Sequence, residues 1–139
     1  MGSQMTNIIN LIKIPSLGDE RGGLISVESG AQIPFDIKRV YTIFNTKKGQ
    51  PRGFHAHKSL RQVLICITGK CQILLDNGRQ RETVILDEAT HGLLLENFIW
   101  REISECTDDC VLLVIASDIY CEEDYIRDYE IFKDLVGQS

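Results

Sequence analysis

The chain has 139 residues, 43% of them apolar and 25% charged, with a formal net charge of -5. That length suits one domain with a real core, and the composition is that of an ordinary globular protein. An acidic balance without a basic cluster excludes nucleic-acid binding, and without a signal peptide or an apolar run of membrane-span length a cytoplasmic protein is expected.

Met1-Gly2-Ser3-Gln4 reads as a cloning remnant ahead of a natural start at Met5, so residues 5–139 are taken as the single domain. Ile8 to Ile14 is apolar and β-branched and ends at Pro15, which predicts an edge strand. Asp19-Glu20-Arg21-Gly22-Gly23 is a turn, and Leu24 to Glu28 reads as the next strand. Lys38 to Phe44 alternates, with Val40, Thr42 and Phe44 on one face and Arg39, Tyr41 and Ile43 on the other. Lys47 to Pro51 turns the chain, and Gln62 to Ile67 has the pattern of a buried strand. Cys71 to Leu75 and Arg81 to Leu86 form a hairpin around Asp76-Asn77-Gly78-Arg79, where Asn-Gly suits a type I′ turn. Thr90 to Leu95, Ile99 to Ile103 and Val111 to Ser117 add short strands at regular spacing, the pattern of a jelly-roll or small barrel. Tyr125, Tyr129, Phe132 and Val136 then recur at helical spacing, with acids at the start of the run, which predicts an amphipathic C-terminal helix. The five cysteines are an odd number without a CxxC pair; Cys66 and Cys71 are expected to pack as small hydrophobes in a reducing compartment.

The chemistry concentrates in Arg52-Gly53-Phe54-His55-Ala56-His57. Two histidines two residues apart on a strand share a face, where they are either solvated or convergent on a site that binds metal or moves protons. His91, at a strand start beside Gly92, reads as a surface or capping residue. Four residues separate His57 from Gln62, and six more separate Gln62 from Gly69. This spacing resembles the first cupin motif, with Gln62 in place of its glutamate. The stretch Gly92 to Arg101 resembles the second motif, with Arg101 where a third histidine ligand is normally found. A divalent metal needs three or four protein ligands, an amide is a weak substitute for a carboxylate, and a guanidinium repels cations. The pocket is therefore expected to hold no metal and no cofactor.

A closer resemblance covers most of the chain. Ile33 to Tyr41, Pro51 to Lys58, Ala116-Ser117-Asp118 and Asp124-Tyr125-Ile126-Arg127 are similar to the sugar nucleotide 3,4-ketoisomerases, metal-free WxcM-like cupins that act on dTDP-4-keto-6-deoxy-D-glucose. The resemblance implies an all-β cupin jelly roll with a C-terminal helix, dimeric with exchanged N-terminal strands, serving deoxyaminosugar and O-antigen biosynthesis. It implies a dTDP-linked 4-keto-6-deoxyhexose as substrate, with neither nucleic acid nor membrane as a partner. Some members carry a histidine where this chain has Arg101.

Moving a ketone from C-4 to C-3 requires a proton to leave C-3, an enediol(ate) to form and a proton to reach C-4. His57 is the expected base and His55 the second proton carrier. Tyr41 and Arg101 are expected to stabilise the oxyanion, and Arg21 and Arg52 to hold the pyrophosphate. Arg21 in its turn also reads as a solvated residue, and Tyr41 as a core tyrosine with its hydroxyl bonded to backbone. A sugar nucleotide 3,5-epimerase, a metal-dependent cupin dioxygenase and a non-catalytic sugar-binding cupin are the alternative readings.

Overall fold

The computed structural model describes residues 8–47 and 49–137; the proposed remnant and natural start at Met5 lie outside them. The strands are β1 (Leu11–Lys13), β2 (Arg39–Phe44), β3 (Arg52–His57), β4 (Gln62–Thr68), β5 (Cys71–Asp76), β6 (Arg81–Leu86), β7 (His91–Leu95), β8 (Trp100–Ser104), β9 (Val111–Ala116) and β10 (Tyr125–Ile126). A single α-helix, α1 (Tyr129–Gly137), follows among the described residues. The strands form two five-stranded sheets, ordered β1-β7-β4-β9-β2 and β10-β3-β8-β5-β6. Every strand pairing is antiparallel. This is the expected cupin-type jelly roll.

Alternation along the strands sorts side chains between lumen and exterior. Leu64 and Cys66 on β4, Ile73 and Leu75 on β5, Ile103 on β8, and Leu112 and Val114 on β9 meet in the buried cluster between the sheets. Val63 and Ile65 face the other way and pack with Ile14, Ile33 and Phe35 from the N-terminal segment. α1 closes a third cluster, in which Phe132 packs on Ala56, Trp100 and Ile126. Asp128 caps this helix by accepting hydrogen bonds from the amides of Glu130 and Ile131 at 2.9 and 3.2 Å.

Three expected elements differ. Leu24 to Glu28 forms no strand: Ile25 and Val27 spend their alternation packing on the outer face of the first sheet. The β5–β6 connection is not a type I′ turn, because Gly78 has a positive φ and Asn77 does not. Instead the Asn77 carboxamide oxygen accepts from the amides of Arg79 and Gln80, which spans a longer loop. Tyr125 is not helical; it lies on β10 opposite His57, and the acids before it form a short 3₁₀ turn at Glu122–Asp124.

Candidate active site

A bulge in β3 decides where the histidines point. On the β3–β8 ladder Arg52 pairs with Ile103, Gly53 with Glu102 and His55 with Arg101, so Phe54 is the extra residue. Gly53 and Phe54 both have positive φ, at 92° and 58°. A Cβ on Gly53 would stand 2.9 Å from the Arg101 carbonyl oxygen, so the close approach also requires glycine. Directly paired residues share a face of the sheet. Simple alternation would place Arg52 and His55 on opposite faces; the extra residue brings both to the lumen.

There they line a cavity of about 390 Å³ with Tyr41, Gln62 and Arg101. His55 Nδ1 lies 3.1 Å from the Gly53 carbonyl oxygen. A carbonyl only accepts, so Nδ1 carries the proton and Nε2 keeps its lone pair. Burial, and next the Arg101 cation, hold the His55 pKa down to about 3. His57 is 1% exposed, and its Nδ1 donates to Asp124 Oδ2 at 3.0 Å. Its Nε2 is buried without a partner among the described residues. Burial and Arg101 hold His57 down to about 4, against the opposing pull of Asp124. The two imidazoles are edge to face, 5.0 Å apart, and the Tyr125 ring lies 4.3 Å from that of His57.

Arg101 is 2% exposed and has no carboxylate partner in an ion pair among the described residues. Its Nε and Nη2 donate to the Ile99 carbonyl at 3.2 and 3.1 Å, and its Nη1 donates to Gln62 Oε1. Gln62 Nε2 in turn donates to the Tyr41 hydroxyl at 3.0 Å, leaving that hydroxyl's own proton free for a ligand. Burial lowers the Arg101 pKa to about 10, which still leaves it cationic at neutral pH. The residues at the two altered ligand positions thus bind each other and set a fixed positive charge among the imidazoles. This donor set does not fit a divalent metal.

Of the expected site residues, His55, Tyr41, Arg52 and Arg101 line this cavity. His57 sits behind it, on a smaller cavity of about 230 Å³ with Asp124 and Tyr125. Arg21 is not brought to either: its side chain is 86% exposed and ion-paired with Asp19 at 2.5 Å. His91 is a half-exposed partner of Glu88 at 2.9 Å. Sequence reasoning missed Asp124, Arg39, Tyr120, Tyr125 and Arg127 as parts of the site. Arg39 lies over the Tyr41 ring at 4.8 Å, and its buried Nε has no partner among the described residues. Arg127 lies over the Tyr125 ring at 4.1 Å and is held by Glu122 at 2.8 Å. The β3–β10 pairing recruits Tyr125 and Asp124, and a strand of two residues leaves almost no periodic signal.

Jelly-roll sheets around a histidine-lined lumen make this a small cupin, one whose motif positions do not supply a full set of metal ligands. A family model described as "FdtA: WxcM-like, C-terminal" matches residues 7–137, and the chain belongs to that family. It is 47% identical over 131 residues to the TDP-4-oxo-6-deoxy-alpha-D-glucose-3,4-oxoisomerase of Aneurinibacillus thermoaerophilus, a match covering 94% of this chain and 92% of that one. The crystal structure of QdtA, a sugar 3,4-ketoisomerase from Thermoanaerobacterium thermosaccharolyticum, in complex with TDP is similar at a TM-score of 0.93 and 41% identity, covering 96% of this chain and 98% of that. A 3,4-ketoisomerase from Helicobacter canadensis gives a TM-score of 0.90 and 43% identity, covering 93% and 97%.

Proposed function

We propose that this chain is a sugar-nucleotide 3,4-ketoisomerase that moves the ketone of dTDP-4-keto-6-deoxy-D-glucose from C-4 to C-3. The observation that carries the reading is a neutral imidazole, His55, on the wall of a cavity that also holds a buried cation at Arg101; its Nδ1 is engaged by the Gly53 carbonyl, so Nε2 keeps the lone pair. The named relatives catalyse this class of reaction, and their similarity extends over nearly the whole chain.

In this reading His55 Nε2 takes the C-3 proton, which the neighbouring carbonyl acidifies. Negative charge develops on the C-4 oxygen as the enediolate forms. The field of Arg101 and the free proton of Tyr41 stabilise it, because donors fixed beforehand act most strongly where charge appears. A proton returned to C-4 and the shift of a hydroxyl proton between the two oxygens complete the isomerisation. One carbon is oxidised as its neighbour is reduced, so the redox balance closes within the sugar. This reading exchanges the roles expected for the histidines because His55 is on the cavity wall, whereas His57, covered and oriented by Asp124, is assigned as the second proton carrier. Arg52 and Arg39, with Arg127 beside them, give the cavity a cationic lining suited to the diphosphate.

The working unit in this reading is a homodimer. Val40 and Phe44 on the edge strand β2 are 58% and 59% exposed, and Leu17 and Leu24 flank the Arg21 turn in the open. Covering these residues with a second copy would remove an open sheet edge. Exchange of N-terminal strands would carry Arg21 towards the neighbour's cavity.

Incubation with dTDP-4-keto-6-deoxyglucose, followed by NMR of the product, tests the reading. A C-3 ketone is expected at an unchanged rate after exhaustive chelation. An unmoved ketone, or activity that is lost on chelation and restored by one equivalent of metal, contradicts it.

A further inference from the structure

The lumen is layered. Gln62 lies at the active-site level of β4, and Cys66 lies four residues further along the same inward face, about 13 Å away at the rise of a β-strand. At that far level the sulfur atoms of Cys66, Cys71 and Cys110 all lie within 4.8 Å of one another, and all three side chains are buried. The Cys66 and Cys110 sulfurs are 4.0 Å apart.

Two chain crossings bring them together. Thr68-Gly69-Lys70 carries the chain from β4 in the first sheet to β5 in the second, with Cys66 before it and Cys71 after it. The β8–β9 connection crosses back, with Cys106 and Cys110 inside it. The two crossings are tied together: the Thr107 amide donates to the Lys70 carbonyl, and the Lys70 amide to the Thr107 hydroxyl, both at 3.0 Å. Gly69 permits the approach, since a Cβ there would stand 2.4 Å from the Thr107 hydroxyl and 2.8 Å from the Cys110 Cα.

We propose that Cys66, Cys71 and Cys110 form a binding site for one soft, thiophilic d¹⁰ cation, zinc(II) or copper(I), separate from the sugar site. A zinc–sulfur bond of about 2.3 Å places ligand sulfurs about 3.8 Å apart in a tetrahedron and about 4.0 Å apart in a trigonal plane. The Cys66–Cys110 separation already matches, and Cys71 needs less than 1 Å of movement by the 4.8 Å limit. Copper(I) is satisfied by these three sulfurs; a zinc tetrahedron needs a fourth ligand, for which half-buried Cys106, packed against the cluster but with its sulfur outside the 4.8 Å group, would have to swing inward. Cys71 and Cys106 also line a surface depression of about 930 Å³, which supplies an entry path. Burial raises the thiol pKa values of all three cysteines, which opposes loading, so the ion must displace protons that the core favours keeping. The bound ion replaces the thiol protons and clamps the two crossings.

The test uses the intact chain, reduced with a phosphine and stripped of metal. It is titrated separately with zinc(II) and copper(I) against competing chelators, and the loaded protein is examined by X-ray absorption. One ion per chain with an all-sulfur shell is expected, together with a rise of roughly 5–10 °C in Tm at saturating metal. Cys66→Ala and Cys110→Ala should each weaken binding by about 100-fold or more, while Cys121→Ala, outside the cluster, should not. Cys106→Ala should weaken zinc and spare copper(I). Affinity for both ions unchanged by Cys66→Ala overturns the proposal. So does an oxygen or nitrogen shell in the wild type, which decides the matter even if the variants fail to fold.

Discussion

Arg101 shapes the titration of its neighbours. It is a buried cation in the position where the second cupin motif normally offers a histidine, and with burial it holds His55 at about 3 and His57 at about 4. The ordinary histidine value is 6.5. Both imidazoles are therefore neutral across the physiological range. Because kcat/KM reports the free enzyme, its acid limb should fall below about pH 5. An acid limb near 6.5 would contradict the assignment. Stability carries the same sign. Both folded values lie below the unfolded one, so the unfolded chain binds more protons in between. Stability from these groups is complete above about pH 6.5 and is lost as pH falls towards 3, which urea midpoints measured across that range will show.

At the scale of elements, the β3 bulge positions His55, the proposed base. Gly53→Ala combines a left-handed φ with a Cβ 2.9 Å from a backbone oxygen; it should cost about 1–3 kcal/mol and lower kcat by misaligning His55. Gly30→Ala has a similar φ but open space around it, so it should cost stability while leaving kcat intact. Urea melts and steady-state kinetics on both variants separate strain from misalignment. Much of both sheets was legible from alternation and turn residues, and β2 and β4 to β9 fall within a residue or two of expectation. Their burial is set by period and composition, which a sequence displays. The bulge was not legible. Nothing in Gly53-Phe54 announces an extra residue until the ladder to β8 is seen, yet it explains how Arg52 and His55 can serve one cavity. Asp124 stood in a matched motif but read as a helix-dipole acid, because only the β3–β10 pairing reveals that it faces His57. Leu24 to Glu28 misled because an apolar alternation lying over a sheet looks like one lying within it.

At the scale of the whole molecule, the proposed dimer turns Arg21 from a solvated residue into a shared one. Arg21→Glu and His55→Asn should each abolish most activity alone. Mixed, unfolded and refolded together, they should recover about a quarter of wild-type turnover, because hybrid dimers contain one intact site. No recovery in verified hybrids would place Arg21 outside the site. The central claim, that His55 opens the reaction by taking the C-3 proton, is tested most directly by following substrate in deuterated water by NMR. The wild type should wash deuterium into C-3 of the substrate and form a 3-keto product deuterated at C-4. His55→Asn should lose both, by a factor of about 10² or more. His57→Asn should slow turnover while C-3 exchange stays detectable. C-3 exchange at the wild-type rate in His55→Asn, or deuterium at C-5 with the ketone unmoved, would contradict it.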